Sequence, residues 1–246
     1  MAILSGKSAL VTGGSRGIGA AIVKRLASDG VQVAFTYSAS PEQAQQVVDQ
    51  VQKAGGKAIA IKADATDQAA VRSAVQQAAK EFGKIDILVN NAGVAALAPI
   101  ADFSEADFER SLSVNVRSVF TATQEAVRNM PDGGRIIHIG STNAERMPFA
   151  GGAVYALTKG AMASFTKGLA RDLGPRSITV NNIQPGPVDT DLNPATGPFA
   201  ETMLSLMALK RYGHADEIAG MVSYLAGPEA GYITGASLLI DGGFAA

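Results

Sequence analysis

"SALVTGGSRGIGAAIVKRL", residues 8–26, decides how this chain folds. "SALVT" (8–12) is a short run of β-branched and aliphatic residues, the pattern of a buried strand. Gly13, Gly17 and Gly19 follow at once, and helical spacing begins near Ile18. Glycines between a strand and a helix allow a tight turn, close approach of a phosphate, and close helix–strand packing. The helix start then offers unpaired N–H groups and the positive end of the helix dipole to an anion. The spacing is Gly-x-x-x-Gly-x-Gly from Gly13, unlike the commoner dinucleotide fingerprint, so taken alone it also suits an ordinary glycine-rich turn.

The same alternation continues to the end of the chain. Further strands are expected at 32–37, 58–63, 85–91, 134–140, 178–184 and 237–241, and helices at 18–29, 41–54, 67–82, 104–129, 152–173 and 215–226. The strands show little in–out alternation, as parallel strands covered on both faces do. Ser40 before Pro41, Thr66 before Asp67 and Ser104 before Glu105 are the expected helix caps. The expectation is one α/β domain over 1–246, a doubly wound, seven-stranded parallel sheet flanked by helices. Residues 1–93, which carry the glycine loop, are expected to form mainly its cofactor-binding half and 94–246 its catalytic half. No clear element emerges over the Gly- and Pro-rich stretch 184–213, and a loop that long in a compact domain is more often functional than idle. A substrate lid is expected at about 187–210.

Composition narrows the class. The 246 residues are 47% hydrophobic and 17% charged, with a formal net charge of -1, so nothing draws the chain electrostatically to nucleic acid or an anionic membrane. It has no cysteine, which excludes disulfides and thiolate metal sites and suits a reducing compartment. No stretch resembles a signal peptide or a membrane span. A cytoplasmic protein is expected. Two histidines, His138 within a strand and His214 before a helix, are too few for a metal centre or a serine triad, and no metal is expected.

Several ordered motifs together resemble the classical short-chain dehydrogenases/reductases. "TGGSRGIG" (12–19) is similar to that family's phosphate loop, and "NNAG" (90–93) to the motif closing its fourth strand. Asn115, Ser141, Tyr155 and Lys159 fall in the order of its catalytic tetrad. "PG" (185–186) with Val188 and Thr190 resembles its nicotinamide-side loop, and the likeness extends to the C-terminal "ITGASLLIDGG". The resemblance implies a nicotinamide cofactor held by Gly13, Ser15, Arg16, Gly17, Ile18, Gly19, Asn91, Ala92, Gly93, Tyr155, Lys159, Pro185, Gly186, Val188 and Thr190. Asp64 would contact the adenine, with Ala65 contributing its backbone N–H. A turn-forming or capping role for Asp64 stays open.

The choice of cofactor is written after the second strand. A carboxylate about 20 residues beyond the first glycine would favour NAD by accepting from the ribose 2′-hydroxyl. Here "FTYSAS" places Tyr37 and Ser38 there, with no acid, while Arg16 stands inside the glycine loop. Arg16 paired with a 2′-phosphate, and Ser38 donating to it, point to NADP(H). A solvated Arg16 is the alternative.

The chemistry rests on "YALTK" (155–159). Residues four apart on a helix share a face. A phenol titrating at about 10 is a poor base near neutrality, and a neighbouring ammonium favours its ionised form. Tyr155 is therefore the expected general acid/base and Lys159 its electrostatic partner. Ser141 would hold the substrate oxygen, and the resemblance gives Asn115 a water linking Lys159 to solvent. Asn115 as a structural residue in a helix kink stays open. Ser141 and Tyr155 are fourteen positions apart, one more than the family more often has, so either Ser141 or Thr142 could face the substrate. Glu145 and Arg146 would select a charged substrate or face water.

The leading expectation is an NADPH-dependent reductase of a small-molecule ketone or other carbonyl. The alternatives are a 3-oxoacyl-[acyl-carrier-protein] reductase, with Arg117, Arg128 and Arg135 as its basic patch, and a regulator on this fold that binds a cyclic dinucleotide. Apolar residues at 103–129 and 152–173, among them Phe103, Phe108, Phe120 and Phe165, extend beyond one narrow stripe, and the resemblance implies that these helices pack across a two-fold axis. In the family this implies a homotetramer, with a dimer as the next choice.

Overall fold

The structure, a computed structural model, describes residues 3–246. One sheet contains β1 Ser8–Val11, β2 Gln32–Tyr37, β3 Lys57–Lys62, β4 Ile87–Asn90, β5 Arg135–Ile139, β6 Thr179–Pro185 and β7 Ser237–Ile240. Their spatial order is β3-β2-β1-β4-β5-β6-β7. Every neighbouring pair is parallel. The chain winds outward from β1 to β3, then places β4 on the other side of β1 and winds outward again. The order reverses between β1 and β4, and in such sheets the crevice beyond the carboxyl ends of those strands is the ligand site.

The helices are α1 Gly17–Ser28, α2 Pro41–Lys53, α3 Gln68–Phe82, α4 Glu105–Leu112, α5 Ser118–Arg128, α6 Ala153–Leu173, α7 Ala200–Leu206 and α8 Ala215–Ala226. They cover both faces of the sheet and create two cores. Ala9 and Val11 of β1 pack with Ile22, Leu26, Val222 and Leu225, whereas Leu10 packs with Val75, Ala122 and Ala126. Val33 and Phe35 of β2 join the first core and Ala34 the second. Alternate residues thus enter opposite cores, which explains strands that are apolar throughout. Phe35 is fully buried; burial of such a side chain contributes roughly 1.5–3 kcal/mol.

Three local expectations change. Asp67, not Thr66, caps α3: its carboxylate accepts from Ala69 N and Ala70 N. Asp67 has the extended backbone (φ −95°, ψ 105°) that a cap needs, and α3 starts one residue later than expected. Ser104 does cap α4, accepting from Asp107 N at 3.0 Å. The expected helix at 104–129 is divided: Ser113–Arg117 widens into a π-type turn between α4 and α5. Within 184–213, α7 forms a short helix in what the sequence shows as loop. No helix of the described residues is long and apolar enough to cross a membrane.

Candidate active site

The glycine loop is fixed from below by its neighbours. Gly13 N donates to Thr36 Oγ1 at 3.0 Å and Gly14 N to Thr36 O at 2.9 Å. Asn91 Nδ2 donates to Thr12 O and Gly13 O at 3.0 and 2.8 Å, while Thr12 Oγ1 accepts from Asn91 N and Ala92 N, each at 3.0 Å. Gly13 and Gly17 have φ of 69° and 52°, the left-handed region natural to glycine. At Gly19 a Cβ would stand 2.0 Å from Gly13 O and 2.6 Å from Asn91 Nδ2.

This cradle fits a dinucleotide phosphate. Arg16 occupies the N-cap of α1 in extended conformation and no side chain caps the helix, so its first N–H groups have no such partner. Arg16 and Ser38 are exposed, while Ser15, Ile18 and Tyr37 are partly covered. Thr190 lies over the loop, its Cγ2 3.3 Å from where a Gly17 Cβ would be. Asp64 stands exposed after β3, beside the end of β2, since Ala63 N bonds to Tyr37 O. Asp64 is also a turn-former: it accepts from Thr66 N at 2.9 Å, and that bond holds its carboxyl below the ordinary value. A narrow cleft between these walls is lined by Thr12, Thr36, Ala63, Ala65, Ala92 and Ser118.

The catalytic candidates gather beyond β4 and β5. Lys159 is 5% exposed and its Nζ donates to Ile139 O at 3.0 Å. An ammonium carries three donors, and a nearly buried one suits a ligand rich in oxygen. The same Nζ lies 5.7 Å from the centre of the Tyr155 ring. A Cβ at Gly93 would be 3.5 Å from Asn115 Oδ1 and 3.6 Å from Lys159 Nζ, which brings these three residues to one point. Asn115 lies in the π-type turn and bonds to both Val94 N and Val94 O at 2.9 Å, and its Nδ2 also reaches Thr158 Oγ1 at 3.1 Å. It is therefore a kink residue and a neighbour of Lys159 at once.

Ser141 and Thr142 are separated by their partners. Thr142 is 2% exposed and donates to Asp241 Oδ2 at 3.0 Å. Ser141 begins the short turn after β5, accepting from Asn143 N at 3.1 Å and donating to Asn143 Oδ1 at 3.2 Å. Glu145 and Arg146 are engaged by the chain itself: Gln184 Nε2 donates to Glu145 Oε1 at 3.0 Å, and Arg146 donates to Phe244 O at 2.7 Å. Pro185 ends β6, and Gly186 follows so tightly that a Cβ would meet Asp241 Cα at 2.7 Å. Val188 turns its side chain into the first core, which leaves only its backbone for a ligand. Leu192 and Phe199 are exposed at the start of the lid region.

Nothing local in the sequence marked three polar residues below the site as neighbours. Asn90, His138 and Asn182 lie side by side in register on β4, β5 and β6, all buried. Asn90 Nδ2 is 3.1 Å from both Thr123 Oγ1 and His138 Nδ1. Burial, with the charge of Lys159 adding to it, pushes the His138 imidazole down to about 3, so it stays neutral. His214 heads α8, where its N–H donates to Glu217 at 2.8 Å. Of the arginines read as a basic patch, Arg128 pairs with Glu125 at 2.9 Å and Arg135 donates to Gly133 O and Gly134 O. Among the described residues no group of three or more His, Cys, Asp or Glu is placed to hold a metal.

Comparison with known proteins agrees with this geometry. The family model described as enoyl-(acyl carrier protein) reductase matches residues 13–245. The cyclic-di-GMP-binding biofilm dispersal mediator protein of Escherichia coli (strain K12) is 48% identical over 246 residues, 100% of both chains. A short-chain dehydrogenase/reductase from Serratia marcescens BCRC 10948 is 65% identical with a TM-score of 0.98, over 99% of this chain and 100% of that one. A short chain dehydrogenase from Burkholderia cenocepacia J2315, solved in complex with NADP, is 52% identical with a TM-score of 0.98 over the same shares. A parallel sheet with its crevice at the β1/β4 switch, and a family match over nearly the whole length, place this chain in the classical short-chain dehydrogenase/reductase family of oxidoreductases.

Proposed function

We propose that the chain is an NADP(H)-dependent reductase of a ketone or other carbonyl compound. The observation that carries this reading is the meeting of Gly93, Asn115 and Lys159 at one point, with the Tyr155 ring beside the same ammonium. The cofactor is NADP(H): the glycine loop and the uncapped start of α1 receive its phosphates, Arg16 and Ser38 its 2′-phosphate, and Asp64 and Ala65 its adenine end. Asn91, Ala92, Pro185, Gly186, Val188 and Thr190 line the rest. When bound, it supplies a hydride to the carbonyl carbon.

Charge then develops on the substrate oxygen, and the chain's own groups meet it. Ser141 donates a hydrogen bond to that oxygen, and Tyr155 delivers the proton that completes the alcohol. Lys159, beside the ring, stabilises the negative charge left on the phenolic oxygen, and Asn115 orients the groups that return a proton to it. The substrate enters under a lid at about 187–210, whose exposed Leu192 and Phe199 favour an apolar ligand. A second copy covers the apolar groove of Ile100, Phe103, Phe108, Val154 and Leu157, in a homotetramer or a dimer. The setting is cytoplasmic.

The test is NADPH consumption against a ketone panel that includes an acetoacetyl thioester. Ketone turnover is expected, and Tyr155→Phe should lower kcat about 10²–10⁴-fold with cofactor affinity unchanged. Full activity in that variant would overturn the mechanism. Turnover of the thioester alone would favour a 3-oxoacyl-[acyl-carrier-protein] reductase. One observation favours a further reading, binding of a cyclic dinucleotide: the full-length likeness to the Escherichia coli mediator protein. Cofactor binding without any turnover, together with saturable cyclic-di-GMP binding, would favour it.

A further inference from the structure

After β7 the chain reaches Asp241, Gly242 and Gly243 and turns back on itself, with φ of 60° and 77° at the two glycines. The Asp241 carboxylate holds that turn: Oδ1 accepts from Gly243 N and Oδ2 from Ala245 N, both at 2.9 Å. Oδ2 also accepts from Thr142 Oγ1 at 3.0 Å, ninety-nine positions earlier. The tail is anchored by Phe244, 1% exposed, and Arg146 donates to Phe244 O and Ala246 O at 2.7 and 3.3 Å. The same turn touches two more walls of the site. Leu209 N donates to Gly242 O at 2.8 Å, a Cβ on Gly243 would meet Ala208 Cβ at 2.6 Å, and one on Gly186 would meet Asp241 Cα at 2.7 Å. One carboxylate thus stands where the loop after β5, the loop after β6 and the end of the lid region converge.

We propose that Asp241 is a positioning residue for the substrate wall. Its bond to Thr142 fixes the backbone next to Ser141, and so the direction of the Ser141 hydroxyl. The tail it folds holds Arg146, and with it the residues leading to Tyr155. The loop between Ser141 and Tyr155 is one residue longer than is usual in the family. A longer connection has more conformational freedom to lose on ordering, and two ties to the C-terminal tail remove it. The effect on chemistry rests on the reductase reading, whereas the tie itself does not.

The experiment separates the two. Thr142→Val replaces the hydroxyl with a methyl group, Thr142→Ser keeps the hydroxyl, and Arg146→Ala removes an exposed side chain at the other tie. In the NADPH-loaded protein, amide hydrogen exchange over 143–149 should quicken roughly fivefold to tenfold in Thr142→Val, the loss expected of one hydrogen bond. Exchange over 8–37 should be unchanged. With a turned-over ketone, kcat should fall about tenfold while the KM for NADPH holds, and the enantiomeric ratio of the alcohol should narrow. Thr142→Ser should restore all three readings, and Arg146→Ala should reproduce them more weakly, including where Thr142→Val fails to fold. Unchanged exchange over 143–149 in both Thr142→Val and Arg146→Ala would overturn the proposal, as would a uniform loss of protection in which cofactor affinity and kcat fall together. If the native protein reduces no ketone, the reductase reading falls, and exchange alone decides the tie.

Discussion

On the cofactor side of the crevice, a single methyl group added at position 19 would stand 2.0 Å from a main-chain oxygen, and one at position 14 would stand 2.5 Å from the Phe35 side chain. On the proposed substrate side, Leu192 is 70% exposed and Phe199 67%. The first wall is defined by what its backbone excludes, since glycines, Thr12, Thr36 and Asn91 leave the chain one path. The second is defined by long-range ties to a loop and a tail, with side chains free to change. A cofactor shared by many enzymes suits a sterically closed wall, and a variable substrate suits a wall whose side chains can be exchanged while the scaffold stands.

The contrast can be broken most directly at its closed end. Gly19→Ala should abolish measurable NADPH binding and destabilise the fold by about 1–3 kcal/mol, the cost of overpacking; a dissociation constant within twofold of native would show that this wall can yield. Next in size is Arg16→Ala, which should raise the KM for NADPH about 10–100-fold, as loss of a charge-assisted hydrogen bond does. The KM for NADH should hardly move, and equal effects would remove Arg16 from the 2′-phosphate.

Beneath both walls, within the sheet, lies His138, and pH tests it. The imidazole is neutral in the folded chain because its value is pushed down to about 3 from an ordinary 6.5. Below that ordinary value the unfolded chain takes up a proton that the folded chain refuses. Its contribution is therefore complete above about pH 6.5, and stability falls by about 1.4 kcal/mol per pH unit on acidification towards pH 3. Denaturant titrations of the native protein and His138→Gln at several pH values should differ by that slope; parallel profiles would mean that His138 accepts a proton in place. The smallest effect is expected at the open wall, where Leu192→Ala should change stability by less than about 0.5 kcal/mol while altering the KM for the ketone.

How far each feature was legible follows from how local its cause is. Gly13 and Gly17 could be read because the turn between strand and helix is local and takes them to φ of 69° and 52°, whereas the crowding of Gly19 by Asn91 appears only in the fold. Helical spacing put Tyr155 and Lys159 on one face, which the 5.7 Å between ring centre and ammonium bears out, while their proposed role comes from the family resemblance. The cap of α3 was missed by one residue because Thr66 and Asp67 are both capable caps, and the backbone angles chose between them. The seven-residue α7 sits among glycines and prolines and is too short for a periodic pattern to stand out.

Sequence alone determined the alternation of strand and helix, the glycine loop between β1 and α1 and the absence of an acid after β2, all properties of contiguous residues, and from the alternation followed the parallel sheet. Only the tertiary structure decided that Thr142 is bonded to Asp241, that Glu145 and Arg146 are held by the chain itself, and that Asn115 is both a kink and a neighbour of Lys159. The Thr142 and Arg146 bonds join residues 99 and 98 positions apart. No local pattern records such a pairing, because it exists only once the winding of the sheet has brought the end of β7 beside the ends of β5 and β6.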